Sequence, residues 1–339
     1  MSANFISIVC ASTGFVISAE NSILLAKNED GYNHSARVWF IPSENGDYGR
    51  VYFGFPELYP ISAMNERGLV MERFIHPEQA QYESVIIPEN KEIDYNLIMA
   101  ECATVDEVLF KLDNYNRDTL GDEAILFVDR SDKAVLVKKD TLIFKEEPVL
   151  IYTSPAMPQY GSSDQPELYT DTVLDMIAGS KEISVDLCRK VLAAISQDIT
   201  QYSNIYELKK GTFYLHHFHD FENYVVFDLT EELEKGFHEL NIPDLFPDNV
   251  DFHYVYFTRI TPQNNLPVLI FLIVSGLIYL YTLTSWPAIW LIRRQDTFDF
   301  GPEVIDPSPA PLASAARVFG CIAAALGLIY LLVTYYNPQ

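Results

Sequence analysis

Two residues near the start of the chain combine a nucleophile with an acid. Cys10 closes the apolar run 5–9, and Asp30 ends the segment Lys27-Asn28-Glu29-Asp30. If residues 1–9 were removed, Cys10 would carry both a thiol and a free α-amine. The thiolate is the reactive form, and an α-amine has a pKa near ~7.7–8.0, so the amine could act as the base for its own thiol. Asp30 could then hold the resulting ammonium by charge and hydrogen bonding.

The same cysteine has a structural alternative. A cysteine in an apolar strand is commonly a small buried hydrophobe rather than a nucleophile. Considered alone, Cys10 could be either a nucleophile or a buried core residue. The motifs that follow it in the sequence favour the nucleophile.

The order of these motifs resembles the cysteine-type N-terminal-nucleophile (Ntn) hydrolases, which include choloylglycine hydrolases, penicillin V acylases and acyltransferase-like linear-amide C–N hydrolases. The resemblance covers roughly residues 6–240 and rests on Cys10, Lys27-Asn28-Glu29-Asp30 and Met64-Asn65-Glu66-Arg67-Gly68-Leu69. It implies Cys10 as the nucleophile, Asp30 as the residue that positions its amine, and Lys27 with Asn28 as supporting residues. It also implies an αββα sandwich, in which two antiparallel sheets lie between helical layers.

The chain departs from the family pattern at the basic residue of the first motif and at the oxyanion site. Lys27 stands where the family usually has arginine, so it supplies charge but no bidentate fork. Thr153, in Leu150-Ile151-Tyr152-Thr153-Ser154, falls where the family has an oxyanion-site asparagine. No second oxyanion asparagine follows the strand that starts at Leu69. One such donor contributes a factor of ~10²–10³ in rate, so either Thr153 or a backbone N–H fills the role, or the site is weakened.

Four further residues are predicted to bind substrate: Asn65, Arg73, Tyr202 and Asn204. The segment Tyr202-Ser203-Asn204-Ile205-Tyr206 resembles a late strand of the family that approaches the active centre. The alternative for these residues is ordinary strand packing.

Neither a metal nor a cofactor is expected. His216, His217 and His219 are the strongest metal candidates, and strand alternation would place His217 and His219 on one face. No second cluster at ligand spacing accompanies them. The motifs of phosphate-binding loops and of Ser/His/Asp hydrolases are also missing.

The charge is concentrated before residue 261. The chain has 339 residues and a formal net charge of −24. Residues 261–339 hold three arginines and four carboxylates, so −23 belongs to residues 1–260. Such an acidic domain repels polyanions, which makes nucleic acid an unsuitable partner. The four cysteines, at 10, 102, 188 and 321, form neither a disulfide framework nor a zinc motif.

The pattern of residues 1–260 predicts an α+β domain. Strands are expected over residues 6–11, 14–18, 23–27, 37–41, 50–55, 63–71, 124–129, 134–138, 149–152, 202–206, 212–218 and 224–228. Helices are expected over residues 95–102, 104–114, 167–177 and 185–195, and Thr104 with Glu107 has the form of a capping box. The resemblance implies a hairpin at Met64–Leu69, although the apolar pattern alone continues as one strand.

The C-terminal part predicts a membrane hairpin. Residues 267–292 contain no charged residue and are long enough to cross a ~30 Å hydrocarbon core. A polar loop, 293–317, separates them from a second apolar span at 318–336, which is rich in glycine and alanine. The arginines at 293, 294 and 317 favour a cytoplasmic loop, whereas residues 1–9 lack the features of a signal peptide. The sequence thus leaves open which side of the membrane the large domain faces.

Two functions follow from these observations. The first is a membrane-tethered hydrolase or acyltransferase that acts on a small, non-peptide linear amide, with an amphipathic N-acyl compound as the expected partner at the lipid surface. The second is a catalytically degenerate domain of the same fold, which binds a ligand and serves as a membrane-anchored receptor or scaffold. Retention of Cys10, Asn28 and Asp30 favours the enzyme, whereas Lys27 and Thr153 favour the degenerate domain.

Overall fold

The computed structural model describes residues 12–19, 22–31, 35–55, 59–74, 93–121, 123–154 and 166–255. In chain order the strands are β1 (Thr13–Ala19), β2 (Ser22–Asp30), β3 (Arg37–Ile41), β4 (Arg50–Phe55), β5 (Tyr59–Asn65), β6 (Val70–Phe74), β7 (Ala124–Val128), β8 (Ala134–Val137), β9 (Leu142–Phe144), β10 (Val149–Thr153), β11 (Thr200–Glu207), β12 (Thr212–His217), β13 (Asp220–Asp228) and β14 (His238–Asn241). The helices are α1 (Tyr95–Glu101), α2 (Val105–Leu112), α3 (Pro166–Ala178), α4 (Val185–Ala194), α5 (Leu229–Glu234) and α6 (Val250–Val255).

These strands form two antiparallel sheets. The six-stranded sheet has the order β10-β1-β2-β11-β12-β13, and the eight-stranded sheet has the order β14-β3-β4-β5-β6-β7-β8-β9. Most strands are buried on both faces. The sequence of β7 is accordingly apolar throughout, whereas β2 and β11 bury polar and charged side chains as well.

Three hydrophobic cores define the layers. The central core joins Leu25 of the six-stranded sheet to Phe53 of the eight-stranded sheet. A second core packs α1 and α2 on the outer face of the eight-stranded sheet. A third packs α3 and α4 on the outer face of the six-stranded sheet. The order helix, sheet, sheet, helix confirms the expected αββα sandwich.

The predicted helices agree with the structure to within one or two residues. Side chains of Asp94 and Ser184 cap α1 and α4, and Thr104 with Glu107 forms the predicted capping box at α2. These caps supply acceptors for N–H groups that have no partner inside the helix.

One strand prediction was wrong, and two strands were missed. The expected strand over 63–71 is interrupted by a turn after Asn65, in which Gly68 has φ +80° and Gly68 N donates to Asn65 O. The short edge strands β9 and β14 were not predicted. Each has three or four residues, too few to establish an alternating pattern.

Candidate active site

Asp30, at the end of β2, is the best-placed candidate acid. Its carboxylate accepts hydrogen bonds from Thr200 Oγ1 (2.5 Å) and Gln197 Nε2 (2.9 Å), and its backbone N–H donates to Ser12 Oγ at 3.1 Å. The side chain is buried. Burial raises the pKa of Asp30 well above its usual range, although the Thr200 hydrogen bond opposes this effect.

Asn28 and Thr153 lie on the same face of the six-stranded sheet as Asp30, the face that packs on the helices. The Asn28 amide donates to Leu192 O of α4 at 2.9 Å and accepts from Ser203 Oγ at 2.6 Å. Thr153 pairs with Thr13 across the β10–β1 ladder, and Thr13 Oγ1 donates to Thr153 Oγ1 at 3.1 Å. The structure therefore brings Asp30, Asn28 and Thr153 to one end of three neighbouring strands.

Lys27 points the other way, into the space between the two sheets. Its ammonium donates to Arg73 O at 2.6 Å and forms ion pairs with Glu29 (2.7 Å) and Glu72 (3.2 Å). Glu72 also accepts from Ser62 Oγ at 2.5 Å. We call Lys27, Glu29, Glu72 and Ser62 the intersheet cluster. It ties β2 of one sheet to β5 and β6 of the other.

The intersheet cluster carries one more carboxylate than ammonium. Burial lowers the pKa of Lys27, but the charges of Glu29 and Glu72 outweigh burial and raise it. Burial raises the pKa of Glu29, and it raises the pKa of Glu72 to about 7 even though Lys27 and Ser62 oppose it. Near neutral pH the cluster therefore holds a proton on Glu72 in a large fraction of molecules.

Glu72 was missed in the sequence. It lies in Val70-Met71-Glu72-Arg73-Phe74, where two charged residues interrupt an apolar strand that is buried throughout. Charged side chains are almost never fully buried unless paired. A charged pair inside such a run is therefore the signal that could have identified this position.

Tyr202 and Asn204 face the intersheet cluster from β11. Tyr202 is paired with Glu29 and Asn204 with Lys27 across the β2–β11 ladder. Both side chains are buried, and Asn204 Nδ2 donates to Tyr206 Oη at 3.2 Å. Burial, followed by the charges of Glu29 and Glu72, raises the pKa of Tyr202 well above its ordinary value. These two predicted substrate residues therefore accompany Lys27, on the opposite face from Asp30.

Arg73 and Asn65 are not brought together with the other predicted site residues. Both point toward the helices outside the eight-stranded sheet. The Arg73 guanidinium forms an ion pair with Glu123 at 2.5 Å, donates to Pro60 O at 2.6 Å, and stacks on Tyr95 at 4.1 Å from the ring centroid.

Asn65 holds a turn to a helix. Its Nδ2 donates to Met99 O (2.9 Å) and Cys102 O (2.8 Å), and its Oδ1 accepts from the backbone N–H groups of Arg67 and Leu69, both at 3.1 Å. These four bonds use the full capacity of the amide. The eight-stranded sheet therefore separates two of the predicted substrate residues, Arg73 and Asn65, from the other two, Tyr202 and Asn204.

Cys10 and residues 1–9, the segment whose removal would free its amine, lie outside the described residues. The first described residue, Ser12, contacts the predicted site twice: its hydroxyl accepts from Asp30 N, and its carbonyl accepts from Ser154 N at 3.0 Å. Cys10 precedes Ser12 by two residues in the sequence.

The histidines do not share one strand face. His217 ends β12 and packs against Phe252, with ring centroids 4.8 Å apart, whereas His219 lies in the following turn with φ +64°. Burial lowers the pKa of both His216 and His217 to about 4. Within the described ranges, no group of three metal-ligating side chains converges.

The membrane prediction falls on residues that the structure does not describe. The spans 267–292 and 318–336 both lie beyond Val255. Within the part of the chain that is described, every helix is too short or too polar to cross a bilayer.

Comparison with known proteins identifies the fold through solved structures. No family model matches the chain, and no curated protein matches it by sequence. A mutant of the conjugated bile acid hydrolase from Clostridium perfringens superposes with a TM-score of 0.51 at 17% identity, covering 70% of this chain and 97% of that chain. A variant of the same enzyme gives a TM-score of 0.45 at 15% identity, covering 70% of this chain and 99% of that one. Penicillin V acylase from Agrobacterium tumefaciens gives 0.38 at 14% identity, covering 68% and 91%. The first of these likenesses shows that the chain shares the fold of that hydrolase.

Proposed function

We propose that this protein is a membrane-tethered hydrolase or acyltransferase that acts on a non-peptide linear amide through Cys10. The shared fold is that of a protein named as a hydrolase of conjugated bile acids. Fold alone does not carry a function, so the proposal rests on the residues at the end of β2.

The observation that carries the proposal is a buried carboxyl group without a cation beside it. Asp30 is held by neutral donors, Thr200 and Gln197, and none of the described ammonium or guanidinium groups forms an ion pair with it. A buried charge needs a partner of opposite sign. The α-ammonium of a Cys10 freed from residues 1–9 is a suitable partner, because Cys10 is only two residues from Ser12, which binds Asp30 N.

The proposed reaction begins with transfer of the Cys10 thiol proton to its own α-amine. The thiolate sulfur attacks the carbonyl carbon of the amide, and an S–C bond forms while the carbonyl oxygen becomes an oxyanion. Collapse of this intermediate breaks the C–N bond, and the amine leaves with the proton from the α-ammonium. Water, or a second amine in the acyltransferase, then attacks the thioester and regenerates the thiol.

The other predicted residues support this chemistry from a distance. Asn28 holds β2 to α4 and β11, and thereby fixes the strand that presents Asp30. Lys27 acts as a positioning residue, because its ammonium is used in the intersheet cluster. Thr153 pairs with Thr13 across the β10–β1 ladder, and its hydroxyl is the proposed donor to the oxyanion.

The second candidate function, a degenerate ligand-binding domain, is favoured by one observation. An oxyanion donor was sought at the end of the strand that contains Arg73. The guanidinium of Arg73 forms an ion pair with Glu123 and donates to Pro60 O. Thr153 would then be the one predicted residue proposed as a donor to the oxyanion. A domain of this kind would bind an amide without cleaving it.

Membrane tethering is proposed from the spans 267–292 and 318–336, with residues 1–260 as the catalytic domain. Such an anchor raises the effective concentration of the domain at the lipid surface. It suits amphipathic N-acyl substrates, which partition into that surface.

The decisive experiment combines intact mass with trapping of the acyl-enzyme. A protein that has lost residues 1–9 and gains one acyl group on incubation with an activated N-acyl substrate would support the enzyme, and Cys10→Ala should abolish the acyl adduct. Asp30→Asn should lower acylation by at least about tenfold, because a neutral amide cannot pair with the ammonium. Tight substrate binding by a protein that is never acylated would instead identify the degenerate domain.

A further inference from the structure

Two arginines that pair with no carboxylate among the described residues lie on turns that contact each other, because Arg130 packs on Gly68, the residue after Arg67. Arg67 lies in the β5–β6 turn and Arg130 in the β7–β8 turn, and the β11–β12 turn contributes the carbonyl of Leu208. Val70 pairs with Val128, whereas Phe74 pairs with Ala124. This end of β6 and β7 is therefore opposite to the end at which Phe74 approaches Lys27.

Arg130 is held in a fixed position with part of its guanidinium free. Its Nε donates to Leu208 O at 2.9 Å. The side chain lies flat over Gly68, where a Cβ would be 2.2 Å from Nε, and its Nη2 lies 3.4 Å from the place a Cβ would take on Gly211. Both glycines have positive φ, +80° and +75°. Because Nε is used, the Nη groups remain for a ligand.

Arg67 supplies a second cation on the turn that Arg130 covers, because Arg67 directly precedes Gly68. Its guanidinium is centred 5.7 Å from the ring centroid of Tyr48, and its backbone N–H is fixed by Asn65 Oδ1 at 3.1 Å. Partial burial and then the charge of Arg67 lower the pKa of Arg130, and no carboxylate raises it. By contrast, Arg189 of the same domain forms ion pairs with Asp186 and Glu222.

The two cations repel each other, and no carboxylate of the described residues offsets this repulsion, although residues 1–260 carry −23 overall. An anion between them would remove it. The fork of donors on arginine matches the geometry of carboxylate and phosphate oxygens, and two cations favour a doubly charged group over a single carboxylate. A polyanion is disfavoured by the charge of the surrounding domain.

We propose that Arg67 and Arg130 form a binding site for a small dianionic phosphate group. This site is separate from the candidate active site and does not depend on Cys10. The phosphate could belong to a soluble phosphate monoester or to a lipid headgroup, since the two share the same terminal chemistry.

The test measures phosphate binding by the full-length protein in detergent micelles. Inorganic phosphate should raise the melting temperature more than chloride does at equal ionic strength. Arg67→Gln and Arg130→Gln should each weaken phosphate affinity by at least about tenfold, as expected for loss of a charge-assisted hydrogen bond. Arg117→Gln, which removes an arginine elsewhere in the domain, should bind phosphate as the unmodified protein does, and so should Cys10→Ala.

Arg67→Gln is the decisive variant, because Arg67 is exposed and its replacement leaves the packing over Gly68 intact. The absence of a phosphate-specific rise, or an Arg67→Gln protein with unchanged affinity, would overturn the proposal. Equal weakening by Arg117→Gln would also overturn it, because binding would then follow net charge.

Lipid nanodiscs distinguish whether the phosphate belongs to a lipid headgroup or to a soluble ligand. Stabilisation by phosphatidic acid over phosphatidylcholine, with no further effect of free phosphate, identifies a lipid headgroup, and stabilisation by free phosphate in both lipids identifies a soluble ligand.

Discussion

Replacing Glu72 by glutamine should make the protein more stable at alkaline pH. The intersheet cluster contains two carboxylates and one ammonium, all buried. Glutamine has nearly the same shape and can still accept from Ser62 Oγ, which lies 2.5 Å from Glu72 Oε2. The substitution therefore removes the excess negative charge and keeps Lys27 paired with Glu29.

The magnitude follows from the pKa of Glu72, which burial raises from 4.5 to about 7. A carboxyl group with a raised pKa binds more protons in the folded than in the unfolded state, so stability falls as pH rises through this interval. Each pKa unit corresponds to about 1.4 kcal/mol. Between about pH 4 and pH 8 the unmodified protein should therefore lose about 3 kcal/mol that the Glu72→Gln variant retains.

The assay is urea unfolding of the full-length protein in detergent micelles at a series of pH values, followed by near-ultraviolet circular dichroism. The difference in unfolding free energy between variant and unmodified protein reports Glu72 together with its charge interaction with Glu29. Glu222→Gln is the matched control. The Glu222 side chain is 86% exposed, so its environment changes little on unfolding.

Two results would refute this reasoning. The first is a Glu72→Gln protein that loses as much stability between about pH 4 and pH 8 as the unmodified protein does. The second is a variant that is less stable at pH 8, which would mean that Lys27 requires both carboxylates and that the second negative charge is no burden.

Three further predictions concern folding and anchoring. Lys27→Met should destabilise the domain by about 3–5 kcal/mol, because it leaves two buried carboxylates without their cation. The loss of stability should be smaller at pH 5 than at pH 8, and equal losses at the two pH values would contradict the prediction. Asn65→Ala should cost about 2–4 kcal/mol in urea unfolding, because the bonds to Met99 O, Cys102 O and two N–H groups vanish together; an unchanged unfolding midpoint, with weaker substrate binding, would restore Asn65 as a substrate residue. Truncation after Thr261 should release a soluble, folded protein that retains turnover of short-chain amides and loses turnover of long-chain amides in vesicles; aggregation of the truncated protein would show that the tail is part of the fold.

Strand alternation is sufficient to divide the side chains of β2. Lys27 and Glu29 lie on one face and Asp30 on the other, as the Lys27–Glu29 ion pair and the Asp30–Gln197 hydrogen bond show. This division was not predicted for Lys27. Lys27 was grouped with Asp30 as one catalytic set, although the two side chains leave the sheet in opposite directions.

The partners of these side chains could not be predicted, because they come from distant parts of the chain. Glu72 reaches Lys27 only after the eight-stranded sheet has packed on the six-stranded sheet. Asn65 is held by carbonyl groups at the end of α1, more than thirty residues later. A sequence motif records which residue types recur together, and it does not distinguish an amide that binds substrate from one that holds a turn.

The structure gives a physical reason for a lysine at position 27. Where the family pattern has arginine, the Lys27 ammonium has three donors, and three oxygen atoms surround it: Arg73 O at 2.6 Å, Glu29 at 2.7 Å and Glu72 at 3.2 Å. The donors of an ammonium reach three oxygens grouped around one atom more readily than those of a planar guanidinium. Glu29 and Glu72 are therefore matched to Lys27. Together these residues form a bridge between the sheets, which leaves Asp30, on the other face of β2, for the chemistry proposed at Cys10.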